Sequence, residues 1–397
     1  MRYQRGFSMN IEAQYAIELL AALIANKPTP MPPTQLNWEE FFAFSVNHKV
    51  DNMMYVALSQ LDNADIPIMD KLMQKYSFGI ALEAAQEISF QELIEEFEKE
   101  GIKNLPLKGC LLKHLYPMPD YRQSGDIDIL IHKEDFKAAA SILTKLGYTE
   151  DEFDENELHL GYRRPPNVMI EIHGKLVEDG NRTSEYLSQI WDNVHLCEGS
   201  RFGYEMDKET TYAYIIAHMA KHIKNTGAGI RLVLDIWVLL MHWQDEFDKD
   251  KLCGVLAAMK LTDFEKMASK LARHWFGGEI IDDENVIALG EFTINSGIYG
   301  NNEAMKMMHA SDVDDDRVSR AKYKIKKFCK STFLPVSTMR VEYPILLKYK
   351  FLLPVMWLHR IFKLLFSKEM KVSDRIKKSV EIKDDAKILK DIWESVK

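Results

Sequence analysis

Apolar residues recur along the first hundred positions at helical intervals. Residues 11–25 are apolar nearly all round, which predicts a helix buried on most of its faces. Residues 38–58 repeat the pattern around Phe41, Phe42, Val46 and Met53, and a long helix is predicted over 68–99, ending at Gly101. His48 and Lys49, inside the second run, read as surface or capping groups. From Ile102 the period shortens. Residues 104–108 predict a short strand, Gly109 breaks it, and 110–115 start a helix that stops before Pro117. Residues 126–131 alternate acidic or apolar positions with isoleucine and predict a second strand; 133–146 predict a helix closed by Gly147. After a turn at Arg163-Arg164-Pro165-Pro166-Asn167, a third strand is predicted over 168–176, with Met169, Glu171 and His173 on one face. Residues 210–241 predict one or two long helices broken near Gly227-Ala228-Gly229.

Composition supports a folded chain throughout, since 397 residues at 46% hydrophobic can bury a large core in two or three subdomains. Cys110, Cys197, Cys253 and Cys329 are scattered and never form a C-x-x-C pair, so neither a disulfide framework nor a zinc knuckle is expected, and the expected compartment is a reducing cytoplasm. The beginning of the sequence lacks signal-peptide features, and no stretch is apolar for the length of a spanning helix. Charge changes the picture at the far end. The segment after Asp316 carries 21 Lys and Arg against 8 Asp and Glu, while the chain as a whole is at −9. The acidic body argues against broad nucleic-acid binding. The amphipathic run 346–366 within the basic segment is expected to pack on the body in preference to a membrane surface.

The chemistry concentrates at Arg122-Gln123-Ser124-Gly125-Asp126-Ile127-Asp128. Strand alternation puts Asp126 and Asp128 on one face, and two adjacent carboxylates repel unless a cation lies between them. An oxygen-only pair suits a hard ion such as Mg²⁺, and both carboxylates are expected to face solvent in a cleft. Ser124 and Gly125 are small enough for a tight turn and a close phosphate. Glu171, on a neighbouring strand, is expected to add the third carboxylate of a two-metal site; a one-residue slip of register would turn it away. His173 reads as a core or supporting histidine and not as a ligand.

Taken together, Lys108-Gly109, Leu115-Tyr116-Pro117, Arg122-x-x-Gly125-Asp126-Ile127-Asp128-Ile129-Leu130, Leu146-Gly147-Tyr148 and Glu171-Ile172-His173 resemble the DNA polymerase β-type nucleotidyltransferase superfamily, and within it an uncharacterised bacterial nucleotidyltransferase family. His218-x-x-x-His222, Arg231, Asp235, Tyr343-Pro344, Leu352-Leu353-Pro354 and Arg360 extend the resemblance over most of the chain, more thinly before Ile102. It implies an α+β fold, a small mixed β-sheet nucleotidyltransferase core flanked by N- and C-terminal helical layers. The implied segments are a helical layer at 1–101, the α/β core at 102–200, a helical domain at 201–310 and a basic helical segment at 311–397. It also implies transfer of a nucleoside monophosphate from an NTP to an unidentified acceptor, with Mg²⁺. Asp126, Asp128 and Glu171 would hold the metal and carry the catalysis. Lys108 and Arg122 would neutralise the triphosphate, Gly109, Ser124 and Gly125 would shape the phosphate turn, and His222 or Arg231 would touch nucleotide or acceptor from the far wall of the cleft. The chain departs from the superfamily at Gly109-Cys110, where a Gly-Ser pair is usual.

Several features carry a plainer reading. Lys108 and Arg122 could each be one half of a salt bridge, and Arg231 and Asp235 a helix-surface ion pair at i, i+4. His218 and His222 have a spacing that zinc accepts, but no third ligand is evident. Asp312-Val313-Asp314-Asp315-Asp316 lacks the glycine and glutamate of a calcium loop and reads as solvated. The alternative functions are a catalytically silent nucleotide-binding module and an interaction protein of a cell-surface glycan pathway.

Overall fold

The computed structural model describes residues 9–62, 65–150, 159–176, 182–225, 227–297, 343 and 350–357. Residues 1–305 and 391–397 form one compact unit and 306–390 a second. The acidic run 312–316, Arg360, Cys329 and most of the basic segment lie outside the described residues; within that segment, Lys350–Leu352 is a 3₁₀ turn.

Helix α1 (Ile11–Ile24) starts at Asn10, whose side chain accepts the Ala13 N–H, and α2 (Trp38–Asn47) starts at Asn37, which accepts from Glu39 and Glu40. The run predicted over 38–58 is two helices. Lys49 adopts φ 56°, and Val50 N–H returns to the Ser45 carbonyl at 3.0 Å, so α2 ends in a left-handed turn and α3 (Asp51–Leu58) starts in a new direction. The break lets Phe41 and Met53, on successive helices, both be fully buried. His48 is buried as well, so of the surface or capping role expected of it only the capping role holds. The long helix α4 (Met69–Glu100) ends at Gly101, φ 74°, as predicted.

The α/β region runs β1 (Asn104–Pro106), the single-turn α5 (Gly109–Leu112), β2 (Ile127–Ile131), α6 (Phe136–Lys145), β3 (Thr149–Glu150), β4 (His159–Arg164) and β5 (Val168–His173). Sheet order is β1-β2-β5-β4-β3, with β2 and β5 parallel and the other pairs antiparallel. The sheet is therefore mixed, and the α+β class holds. Arg163 and Arg164 belong to β4; the turn itself is 165–167. β5 ends three residues before the predicted 176. There Gly174 lies so close to α6 that an added Cβ would stand 2.9 Å from Phe136 and 2.8 Å from the Lys133 side chain.

Ile127, Ile129, Ile131, Val168, Ile170 and Ile172 pack with Leu93 and Phe97 of α4 and Ala139, Ile142 and Leu143 of α6. One sheet face is thus buried under two helices, and the opposite face carries Asp128 and Glu171. Beyond the sheet come α7 (Arg182–Leu187), the hairpin β6 (Val194–Leu196) and β7 (Tyr204–Met206), then α8 (Lys208–Asn225), α9 (Ile230–Trp243), α10 (Lys249–Ala258), α11 (Thr262–Ala272) and α12 (Glu284–Ser296). The predicted break near 227–229 separates α8 from α9. His48 caps the second of these: its Nδ1 accepts the Ile230 N–H at 3.1 Å, and its Nε2 donates to the Ile294 carbonyl at 3.2 Å. No helix among the described residues is long and apolar enough to cross a membrane.

Ile129→Ala removes a fully buried side chain from the face opposite the carboxylates and is expected to cost about 2–5 kcal/mol while leaving their register unchanged. Urea denaturation followed by circular dichroism measures the loss.

Candidate active site

The site is built on the pairing of β2 with β5. Their register sets Asp128 beside Glu171 and Leu130 beside His173, so the expected alignment holds without a slip. Asp126 stands one residue before β2. Asp128 is 1% exposed, which corrects the expectation that both aspartates face solvent. Its Oδ1 accepts hydrogen bonds from Lys108 Nζ at 2.8 Å and from His173 Nε2 at 2.7 Å. His173 Nε2 also lies 3.6 Å from Glu171 Oε2.

Burial works against charge on all three carboxyls, and their neighbours then separate them. Asp128 is held well below the usual carboxylate range, because the Lys108 ammonium and the His173 hydrogen bond outweigh its desolvation. Asp126 is pushed up by desolvation and by the Asp128 charge. Glu171 is pushed up to about 7 by desolvation and then by Asp126 and Asp128. The pattern is that of a carboxylate cluster with less positive charge nearby than it needs. Lys108 is desolvated too, yet Asp128 keeps it firmly protonated.

Donor chemistry is the test of whether a divalent cation fits. Ligand atoms of Asp128, Glu171 and His173 lie within 4.8 Å of one another, the one such trio among the described residues. Asp126 stands outside that group, and His173 stands inside it, where a supporting role was expected. Two carboxylates on adjacent strands, an imidazole beside them, and a third carboxylate at the strand entrance, raised in pKa by desolvation and by Asp128, make a donor set suited to a divalent ion.

The turn after β1 brings Lys108 to Asp128. Lys108 has φ 42° and ψ −106°, a strained backbone for a residue with a Cβ. Gly109 is required by closeness: an added Cβ would lie 2.6 Å from Ser124 Oγ and 3.0 Å from Arg122 Nη1. Ser124 Oγ donates to the Asp126 carbonyl at 2.9 Å. At Gly125 an added Cβ meets nothing within 4 Å, so open space adjoins Asp126. Cys110, in the place of the usual serine, is pushed up to about 12 by burial and the nearby Asp128 charge, and stays a neutral thiol.

Arg122 is engaged elsewhere. Its Nε and Nη2 bind Asp235 Oδ1 and Oδ2 at 2.8 and 2.9 Å, and both side chains are buried. The salt bridge that was the plainer reading of Arg122 is thus present. The plainer reading of Arg231 and Asp235 as a helix-surface ion pair does not hold, since Asp235 is buried and its carboxylate binds Arg122 and, at 2.7 Å, Tyr116 Oη. Arg231 instead donates Nη1 to the Gln123 carbonyl, and its Nε is buried without a hydrogen-bond partner. On α8, desolvation and then the Lys108 charge drive His218 well below its ordinary value and lower His222 to about 4, so both rings are neutral. Their centroids are 4.5 Å apart, edge to face. One turn earlier, buried Tyr214 feels Lys108, Asp128 and Asp126, which puts this stripe of α8 near the carboxylates.

The family described as uncharacterised nucleotidyltransferase matches residues 34–277. The chain belongs to that family. Among solved structures, the chain is similar to the solution structure of the antibiotic-resistance factor ANT(2'')-Ia, described as having substrate-regulated conformation dynamics. The match is at 10% identity and TM-score 0.32, over 48% of this chain and 97% of that one. No functionally curated protein matches the sequence.

Within this chain the register unites Asp128 and Glu171, with Lys108 bound to the first and Asp126 at the strand entrance. Gly109 and Ser124 meet at the turn, and Arg122 is drawn off to α9. Sequence reasoning quoted Tyr116 in a motif without a role, and passed over Tyr214 and Gln86, whose Nε2 donates to the Ser124 carbonyl at 3.3 Å. Tyr214 was within reach, lying four residues before His218 on the same helical face.

Between its ordinary 4.5 and about 7, folded Glu171 keeps a proton that the unfolded chain has released. The contribution of Glu171 to stability is therefore lost as pH rises through this window, by on the order of 3 kcal/mol. Asp126 contributes in the same direction. Buried His48, His218 and His222, lowered from their ordinary value, add stability as pH rises through the same window, so the Glu171 contribution is read as a difference: urea midpoints taken with chelator from pH 4.5 to 7.5 are expected to rise more for Glu171→Gln than for the wild type.

Proposed function

We propose that the chain transfers a nucleoside monophosphate from a nucleoside triphosphate to an acceptor hydroxyl or phosphate, with two divalent cations, Mg²⁺ by preference. The observation that carries this reading is the alignment of Asp128 with Glu171 on adjacent parallel strands, in a chain of a nucleotidyltransferase family. Asp126, Asp128 and Glu171 are the residues that would hold the ions. When bound, such ions neutralise phosphate oxygens and make an acceptor hydroxyl easier to deprotonate.

The chain's own residues supply the rest. The acceptor oxygen forms a bond to the α-phosphorus as the bond to pyrophosphate breaks, and Glu171, poised near neutrality, takes the acceptor proton. Lys108, protonated and 2.8 Å from Asp128, is placed to meet negative charge as it develops on the leaving pyrophosphate. Open space at Gly125 and the tight Gly109–Ser124 contact support a phosphate turn there. The unpartnered Nε of Arg231 supports a contact with an anionic oxygen, and neutral His222 supports one with sugar or acceptor. His173 keeps Asp128 oriented.

One observation favours the silent nucleotide-binding reading. Lys108 already supplies a positive charge to Asp128 without any ion. Pyrophosphate release separates the two readings. Each triphosphate incubated with Mg²⁺ or Mn²⁺ and candidate acceptors should give pyrophosphate with at least one nucleotide. Asp126→Asn, Asp128→Asn and Glu171→Gln should each lower that rate by about 10³-fold or more. Unchanged turnover in folded variants refutes the site, and triphosphate binding with no pyrophosphate from any nucleotide selects the silent reading. Asp128→Asn is also expected to destabilise the fold by about 3–5 kcal/mol, because it strands the Lys108 charge, and Asp126→Asn by much less. Thermal and urea unfolding of the two variants provides that comparison.

A further inference from the structure

The three carboxylates of the site are held in different ways. Asp128 and Glu171 lie on hydrogen-bonded strands, and the sheet fixes their relative position. Asp126 precedes β2 and inherits its position from the segment 122–125, which belongs to no strand or helix.

That segment is gripped from outside at three successive residues. Arg122 is held by both oxygens of Asp235, at 2.8 and 2.9 Å, and Tyr116 Oη donates to the same carboxylate at 2.7 Å. The Gln123 carbonyl accepts from Arg231 Nη1. The Ser124 carbonyl accepts from Gln86 Nε2 at 3.3 Å, and Ser124 Oγ closes on the Asp126 carbonyl at 2.9 Å. Two of the gripping residues, Arg231 and Asp235, are one turn apart on α9, whose first N–H is capped by His48. The strongest tie is the Asp235 carboxylate, because a planar guanidinium bound at two points fixes orientation as well as distance.

We propose that Asp235 is a positioning residue for nucleotidyl transfer. It touches no reacting atom. Through Arg122 and Tyr116 it locks the 122–125 segment so that Asp126 stands opposite the Asp128–Glu171 pair. This rests on the reading of the site as cation-dependent. A buried pair that served only to fasten α9 to the sheet could be exchanged for apolar side chains at no cost to the site. A positioning pair could not, since a displacement of about 1 Å at a catalytic group costs about 10²-fold in rate.

The test uses the full chain with Arg122→Met and Asp235→Leu combined, which removes both charges together, and Tyr116→Phe alone, which keeps the ring and deletes one hydrogen bond. Mn²⁺ affinity is read by electron paramagnetic resonance, independently of turnover, alongside kcat and KM for the triphosphate. The double variant is expected to melt within a few degrees of the wild type, bind Mn²⁺ about tenfold more weakly, and lose about 50- to 100-fold in kcat with KM changed less than about threefold. Tyr116→Phe is expected to show the same pattern at about three- to tenfold in kcat. Wild-type Mn²⁺ affinity and kcat in the folded double variant overturn the proposal. If that variant does not fold, unchanged Mn²⁺ affinity and kcat in Tyr116→Phe overturn it. A wild type that binds no Mn²⁺ and releases no pyrophosphate refutes instead the cation-dependent reading on which the proposal rests.

Discussion

Everything at the site depends on the register between β2 and β5. Side chains alternate along a strand, so the pairing that buries Ile127, Ile129, Ile170 and Ile172 on one face must carry Asp128 and Glu171 together on the other. Apolar burial therefore sets the carboxylate geometry. A slip of one residue would turn Glu171 away from Asp128 and under α4 and α6, and would take Val168, Ile170 and Ile172 out of the core. The energy that holds the acidic residues together comes from the side of the sheet that does no chemistry.

Bringing the carboxylates together raises the question of their charge. In a dry site three neighbouring acids cannot all ionise cheaply, and this chain separates them by environment. Lys108 and His173 both settle on one oxygen of Asp128 and keep it anionic; Asp126 and Glu171 receive less help and rise in pKa. One anion is thus permanent, and two acids respond to whatever positive charge arrives. Neutral His218 and His222 on α8 add no charge of their own.

The legible parts of this fold were those with local causes. Isoleucine alternation exposed β2, glycines at 101 and 147 marked helix ends, and Gly227 to Gly229 marked the break before α9. Other features had no local cue. The α2–α3 break sits at Lys49, whose left-handed backbone comes from packing and not from a glycine. β4 was missed because His159–Arg164 is half polar and takes its register from β5. The tie between Arg122 and Asp235 spans 113 positions. With 51 basic and 60 acidic residues in the chain, no pattern singles out one such pair, and a carboxylate four residues from Arg231 pointed to the wrong partner. Lys108 was visible as a candidate, but whether it met a phosphate or an aspartate depended on a turn that only the folded chain defines.

A lysine at φ 42° is costly, by about 1–3 kcal/mol, and persists only where its surroundings over-determine it. Here they do so from both sides: Leu107 N–H bonds the Asp128 carbonyl at 3.0 Å, Gly109 is wedged against Ser124, and the ammonium is bound to Asp128. Relaxing the backbone would carry Lys108 away from the one carboxylate that is always charged. The strain is therefore sustained by the buried ion pair, and an ion that entered the cluster would compete with Lys108 for the same oxygen. On the proposed function, a cation held by Asp128 would leave the Lys108 ammonium to face the anionic groups of a triphosphate.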